Sequence, residues 1–269
     1  MIVVVATNET GVVGVRARLA ALGAAASEVV APSEARRLVI ATVDDDAKAE
    51  QLAVALRAEG EWAVARPTDR VRLDGWMQHT APLTFGDRLS VCFAWTEHDR
   101  RDLGGLVELG AGGFGNGAHP ATRLLIDQLV NRVAGGERVL DVGCGSGVLG
   151  LCALRLGASS LVAVDMKETA VEATCRNAAI NGMGPRVAAR LGPLGELDDP
   201  FDVVVANVGR AAIVELAPDL VRLVARDGWL AVSGISSPQC DLVAGFLRPL
   251  VEIDRQSSGE WSALALAHP

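Results

Sequence analysis

The sequence predicts an α/β protein in which a mainly parallel sheet, covered by helices on both faces, occupies residues 106–269 and a small α+β domain occupies residues 1–66. Three observations predict it. The chain of 269 residues is 50% hydrophobic and only 22% charged, which supplies one large and one small core and excludes wholesale disorder. From about Val107, short continuously apolar runs alternate with helical stretches, the pattern of buried parallel strands joined by crossovers. Before that point, strand-like and helix-like stretches follow the order βαββαβ within the first 66 residues.

In that first stretch, IVVVAT (2–7) reads as a strand, and Val12, Val15, Leu19 and Leu22 share one face of a helix. SEVVAPS and RRLVIATV read as strands. DDDAKAEQLAVALRAE (44–59) reads as a helix with acidic residues in its first turn, where they complement the helix dipole, and with Gly60 just past its end. WAVARPT closes the set, which is the split-βαβ or ferredoxin-like arrangement. Residues 67–105 carry the turn formers Pro67, Gly75, Pro82 and Gly86, the tryptophans Trp76 and Trp95, and the apolar run RLSVCFAW, and they read as a linker with a short helix and a strand or two. The strands of the large sheet are then RVLDVG (138–143), SLVAVD (160–165), RVAARL (186–191), FDVVVANV (201–208) and GWLAVSGI (228–235). VEIDRQ, the turn SSGE and WSALALA form a hairpin that adds an antiparallel edge.

Charge and composition narrow the partners. The formal net charge is -8, with 25 Lys+Arg against 33 Asp+Glu, and neither half of the chain has the basic excess that gripping a nucleic acid requires. An acidic surface suits a small substrate or a basic protein. Cys92, Cys144, Cys152, Cys175 and Cys240 are odd in number and show no C-x-x-C spacing, and His79, His98, His119 and His268 are far apart, so neither a disulfide framework nor a metal site is expected. The first residues lack a basic leader and no run of about 18 apolar residues occurs, so a soluble, cytoplasmic protein with no membrane association is expected.

The most informative stretch is Val139-Leu-Asp-Val-Gly-Cys-Gly-Ser-Gly147. A buried strand ends there in a turn whose glycines let the backbone approach a ligand, and the helix that follows aims its amides at the same place. Two frames fit. Gly145, Gly147 and Gly150 spell G-x-G-x-x-G with Asp165 downstream, as in a dinucleotide fold, whereas Asp141 before the first glycine spells D-x-G-x-G-x-G. In the second frame Asp141 holds loop amides and offsets the positive charge of an amino-acid-bearing ligand, while Asp165 accepts from two ribose hydroxyls. This second pattern resembles the class I S-adenosylmethionine-dependent methyltransferases, a Rossmann-like fold with a mainly parallel seven-stranded sheet and an antiparallel edge. Asn177-Ala-Ala-Ile-Asn-Gly182 stops the helix after Asp165, and Phe201-Asp-Val-Val-Val-Ala-Asn207 brings an amide to the carboxyl end of the fourth strand.

Upstream stands Gly113-Phe-Gly-Asn-Gly-Ala-His-Pro-Ala-Thr122; downstream come Asn207-Val208, Ser233-Gly-Ile235 and Glu260-Trp261. With the linker pattern Trp76 to Pro82 and Gly86 to Trp95, the chain resembles the ribosomal protein L-eleven methyltransferases, the PrmA type. That resemblance is strong over about residues 70–265. It implies S-adenosyl-L-methionine as cofactor and a ferredoxin-like domain that docks a basic ribosomal protein; separately, the Pro- and Gly-bearing connector leads to the expectation of a monomer with two mobile lobes. It implies cofactor contacts from Phe114, Gly115, Asn116, Gly117, Thr122, Asp141, Gly143, Gly145, Gly147, Asp165 and Asn207. Asn207 would aim the lone pair of a lysine or terminal amine at the methyl group, and His119 is the candidate base. The chain departs from the family at Asn116 and Ala121, where threonines are usual, and at Val208 and Gly209, where isoleucine and leucine are common. These departures keep two alternatives open, an enzyme for a small-molecule or peptide amine and a non-catalytic scaffold that binds the cofactor.

Overall fold

The computed structural model describes residues 2–7, 11–24, 26–30, 37–43, 45–58, 61–66, 82–93, 103–110 and 117–269. They fall into two compact units, the first ending among the described residues at Arg66 and the second beginning at Pro82.

The first unit runs β1 (Ile2–Thr7), α1 (Val12–Ala21), β2 (Ala26–Val30), β3 (Arg37–Thr42), α2 (Asp46–Ala58) and β4 (Trp62–Arg66). Its sheet has the order β2-β3-β1-β4 and every pairing is antiparallel. Alternation at period two turns Val3 and Val5, Val39 and Ala41, and Ala63 to one face, where they meet Val15 and Leu19 of α1 and Leu52 and Leu56 of α2. Leu22, expected on the buried face, is 40% exposed: α1 ends at Ala21, so Leu22 is its C-cap. The acidic start of α2 has a specific use, because Asp45 Oδ1 accepts from the amides of Ala47 (2.8 Å) and Lys48 (3.1 Å), satisfying donors that the first turn leaves open.

The second unit opens with a small sheet of β5 (Leu83–Phe85), β6 (Leu89–Phe93) and β7 (Gly105–Leu109), antiparallel then parallel. Then come α3 (Pro120–Arg132), β8 (Arg138–Val142), α4 (Val148–Arg155), β9 (Ser160–Asp165), α5 (Glu168–Ile180), β10 (Val187–Leu191), β11 (Phe201–Asn207) and α6 (Arg210–Arg222). β12 (Val224–Ser236), α7 (Cys240–Phe246), β13 (Val251–Ser258) and β14 (Trp261–Ala267) complete it. The seven-stranded sheet has the order β10-β9-β8-β11-β12-β14-β13, parallel through β12 and antiparallel in the last two pairings. β8 and β11 lie in its middle and are almost wholly buried; β10, at one edge, is half exposed and correspondingly carries Arg190. The chain winds outward from β8 in one direction and from β11 in the other. Their carboxyl ends therefore flank a switch point, where the crossovers part and leave a crevice.

Candidate functional site

β8 ends at Val142, and the chain turns through Gly143-Cys144-Gly145-Ser146-Gly147 into α4. The amides of Gly143 and Cys144 donate to the Val164 carbonyl (2.8 and 3.1 Å), and that of Gly145 donates to Asp165 Oδ2 (3.1 Å), so the turn is tied to the end of β9. Gly143 has φ +69°, and a Cβ built on it would stand 2.5 Å from Val208 Cγ1. Glycine is required there both by backbone sterics and by the approach of the segment after β11.

Asp165 also accepts from the Lys167 amide through Oδ1 (3.0 Å). A carboxylate oxygen offers two acceptor positions, so each Asp165 oxygen keeps one for a ligand hydroxyl. Asp141 is placed differently. It is 1% exposed, and its Oδ2 accepts from the Gly150 amide (3.0 Å), so it braces the first turn of α4 from beneath and is not part of the crevice wall. Burial pushes its carboxyl up to about 7 from 3.8, with nearby Asp165 adding to the effect and the Gly150 amide opposing it. Burial also pushes the Cys144 thiol up to about 12, which leaves it protonated and unreactive.

The raised Asp141 carboxyl gives a stability prediction. The folded chain holds this proton over a range in which the unfolded chain has released it, so the contribution is complete below about pH 4 and lost as pH rises through about 7. Asp141→Asn keeps an acceptor for Gly150 and removes the titration. Thermal denaturation between pH 4 and 8 should therefore show the wild type losing stability relative to the variant as pH increases. A difference independent of pH contradicts the assignment.

The crevice measures about 560 Å³, the size of a small-molecule site. Gly143, Gly145, Asp165 and Asn207 supply its polar side, and Met166, Ala170, Leu194, Val208 and Leu216 supply apolar walls. A carboxylate at a strand end beside a glycine turn and an apolar slot suits a nucleoside with its ribose diol on Asp165 and its base against the walls. The apolar walls are not legible in the sequence. Met166, directly after the strand-end acid, is a large apolar residue left 73% exposed, as a ligand platform is.

Asn207 ends β11 on this crevice, and its Nδ2 donates to Thr122 Oγ1 (2.8 Å) in the buried first turn of α3. That bond commits the amide nitrogen and leaves the side-chain oxygen as the acceptor. A β-bulge between Ser233 and Ile235, with Gly234 at φ +87°, lets β12 pass close to this corner. A Cβ on Gly234 would stand 2.6 Å from the Val208 carbonyl oxygen.

His119 caps α3: its Nδ1 accepts from the Ala121 amide (3.2 Å), and its ring meets Trp261 edge-on at 4.8 Å. It is not among the residues lining the crevice. Gly147 closes the turn on its Thr174 side and is not among the residues lining the crevice, and Gly117 packs against Val91 and Leu83 of the small sheet. Phe114, Gly115 and Asn116 lie outside the described residues. Among the described residues no cluster of three metal-ligating side chains occurs.

The family model for ribosomal protein L11 methyltransferase (PrmA) matches residues 17–268. The chain belongs to this family. It is 36% identical over 203 residues to a ribosomal protein L11 methyltransferase of Geobacter sp. (strain M21), an alignment covering 73% of this chain and 66% of the relative. The corresponding protein of Vibrio cholerae serotype O1 (strain ATCC 39541) is 36% identical over 196 residues, 71% of this chain and 65% of the relative. The chain thus spans a little under two thirds of the length of these curated relatives. The crystal structure of a ribosomal protein L11 methylase from Lactobacillus delbrueckii subsp. bulgaricus superposes with a TM-score of 0.64 at 27% identity, over 70% of this chain and 98% of that one. The large sheet is accordingly that of a class I methyltransferase, with the antiparallel edge expected of it.

Proposed function

We propose that this family member transfers a methyl group from S-adenosylmethionine to an amine nitrogen of a protein, a lysine side chain or a terminal amine, and that the acceptor is the ribosomal protein named for its relatives. The observation that carries the reading is Asn207, whose oxygen is left as an acceptor on the wall of the same crevice as Asp165 and the glycine turn. When bound, the cofactor would supply a methyl carbon made electrophilic by positive sulfur, open to displacement by a neutral amine nitrogen whose surplus proton would leave to solvent with the product. Asp165 holds the ribose, and the apolar walls exclude water. Asn207 accepts a hydrogen from the entering amine and so turns its lone pair toward the methyl group. His119 orders the start of α3, which in turn holds Thr122 against Asn207.

In this reading the first unit docks the substrate, the acidic chain attracts a basic protein, and the enzyme works as a cytoplasmic monomer without binding nucleic acid. Among the described residues no helix is long and apolar enough to cross a membrane. The test is label transfer from methyl-labelled cofactor to purified ribosomal protein L11 and, separately, to a pool of small amines. Label in L11 is the expected result. Label confined to the small amines contradicts the protein acceptor, and binding without transfer contradicts the enzyme.

A further inference from the structure

Behind the glycine turn, α5 presents Thr174 and Asn177, three residues apart on one helix face and 0% and 2% exposed. Thr174 Oγ1 donates toward Cys144 Sγ (3.3 Å) and the Gly145 carbonyl (3.4 Å). Asn177 Nδ2 donates to the Ser146 carbonyl at 2.7 Å. Two consecutive carbonyls of the turn are thus drawn away from the crevice, and the Ser146 carbonyl is the more firmly held.

Asn177 has a second bond: its Oδ1 accepts from the Gly110 amide (2.8 Å), just past the end of β7. One helical turn on, Asn181 Oδ1 accepts from the Glu108 amide (2.9 Å), and its Nδ2 donates to the Glu108 carbonyl (2.7 Å). Four residues of helix advance about 6 Å and two of strand about 6.6 Å, so two asparagines one turn apart match alternate residues of a strand. Asn181 Nδ2 also donates to the Asn177 carbonyl of its own helix (2.7 Å), but its side chain makes no hydrogen bond to the glycine turn. Asn177 joins β7 to the cofactor turn.

We infer that Asn177 is a positioning residue that sets the affinity for the cofactor by holding the Ser146 carbonyl of the glycine turn and the Gly110 amide in one fixed relation. The inference rests on the cofactor assignment above. A buried amide that bonds two backbone groups has a large effect when removed, because the bond to the buried Ser146 carbonyl and the link from the turn to the Gly110 amide are lost together. Freed from Asn177, the Ser146 peptide can rotate toward the crevice, and the turn no longer presents a preorganised face to the ligand.

The experiment is calorimetric titration of the full chain with S-adenosylmethionine, comparing wild type, Asn177→Ala, Asn177→Asp and Asn181→Ala. Asn177→Asp has nearly the volume of the wild type and keeps an acceptor for Gly110, so it remains informative where the alanine variant does not fold. Both Asn177 variants should bind at least about 10-fold more weakly. Asn181→Ala, which loosens β7 without touching the turn, should lower the melting temperature and leave affinity within about 3-fold. Wild-type affinity in a folded Asn177 variant overturns the inference, as does an equal loss in Asn181→Ala, which would make the effect one of general stability. A wild type that fails to bind contradicts instead the cofactor assignment, and removes the basis of the inference with it.

Discussion

Asn207→Ala is expected to lower kcat for amine methylation by about 100-fold or more while leaving the affinity for S-adenosylmethionine within about 3-fold. The asymmetry follows from the position of the side chain. Its nitrogen is committed to Thr122 Oγ1 at 2.8 Å, so its rotamer is fixed from the protein side and its oxygen is left for the acceptor amine proposed above. In-line displacement at carbon needs little from the protein beyond alignment and a dry site, and removing the group that aligns the nucleophile therefore costs rate rather than cofactor binding. Steady-state kinetics with the cofactor saturating, together with a binding measurement on the same variant, separates the two. A kcat within a few fold of wild type would show that the acceptor is aligned by other groups.

The parts of this site that the sequence reveals are those whose meaning is local. The glycines of 143–147 follow a buried strand and precede a helix, Asp165 ends the next strand, and Asn207 ends the fourth; these three features meet on one crevice wall because parallel strands end at the same side of a sheet. What the sequence leaves unread depends on contacts between distant segments. Asp141 and Asp165 are both carboxylates near strand ends, yet Asp141 is sealed beneath α4 while Asp165 faces the crevice, a distinction set by which neighbours cover each one. His119 looks like a base when read beside its glycines; its use as a cap braced on Trp261 becomes visible only once β14 is placed. The strands around 83–93 and 105–109 form a sheet of their own, whose parallel pairing no local pattern announces.

Val208 and Gly209, two of the four positions at which the sequence reading has this chain depart from the family pattern, differ in their packing. The Val208 side chain sits directly over Gly143, and its carbonyl sits over Gly234, so a β-branched residue fills the gap between the cofactor turn and the bulge of β12. Gly209 precedes α6 as its N-cap with no neighbour near the position of a Cβ, so no packing requirement on a side chain is evident there.

The crevice at the ends of β8, β9 and β11 is the proposed seat of S-adenosylmethionine, and the most direct measurement is binding of that molecule to wild type and to Asp165→Ala by calorimetry. Asp165 keeps one acceptor position on each oxygen after bonding to Gly145 and Lys167, enough for both ribose hydroxyls. Two charge-assisted hydrogen bonds are worth about 3 kcal/mol or more, and the substitution also releases the Gly145 amide, so a loss of affinity of about 100-fold or more is expected. Saturable one-to-one binding by the wild type, reduced to that extent in a variant that remains folded, is the predicted result. Absence of binding, or an affinity unchanged in Asp165→Ala, would contradict the assignment of the crevice.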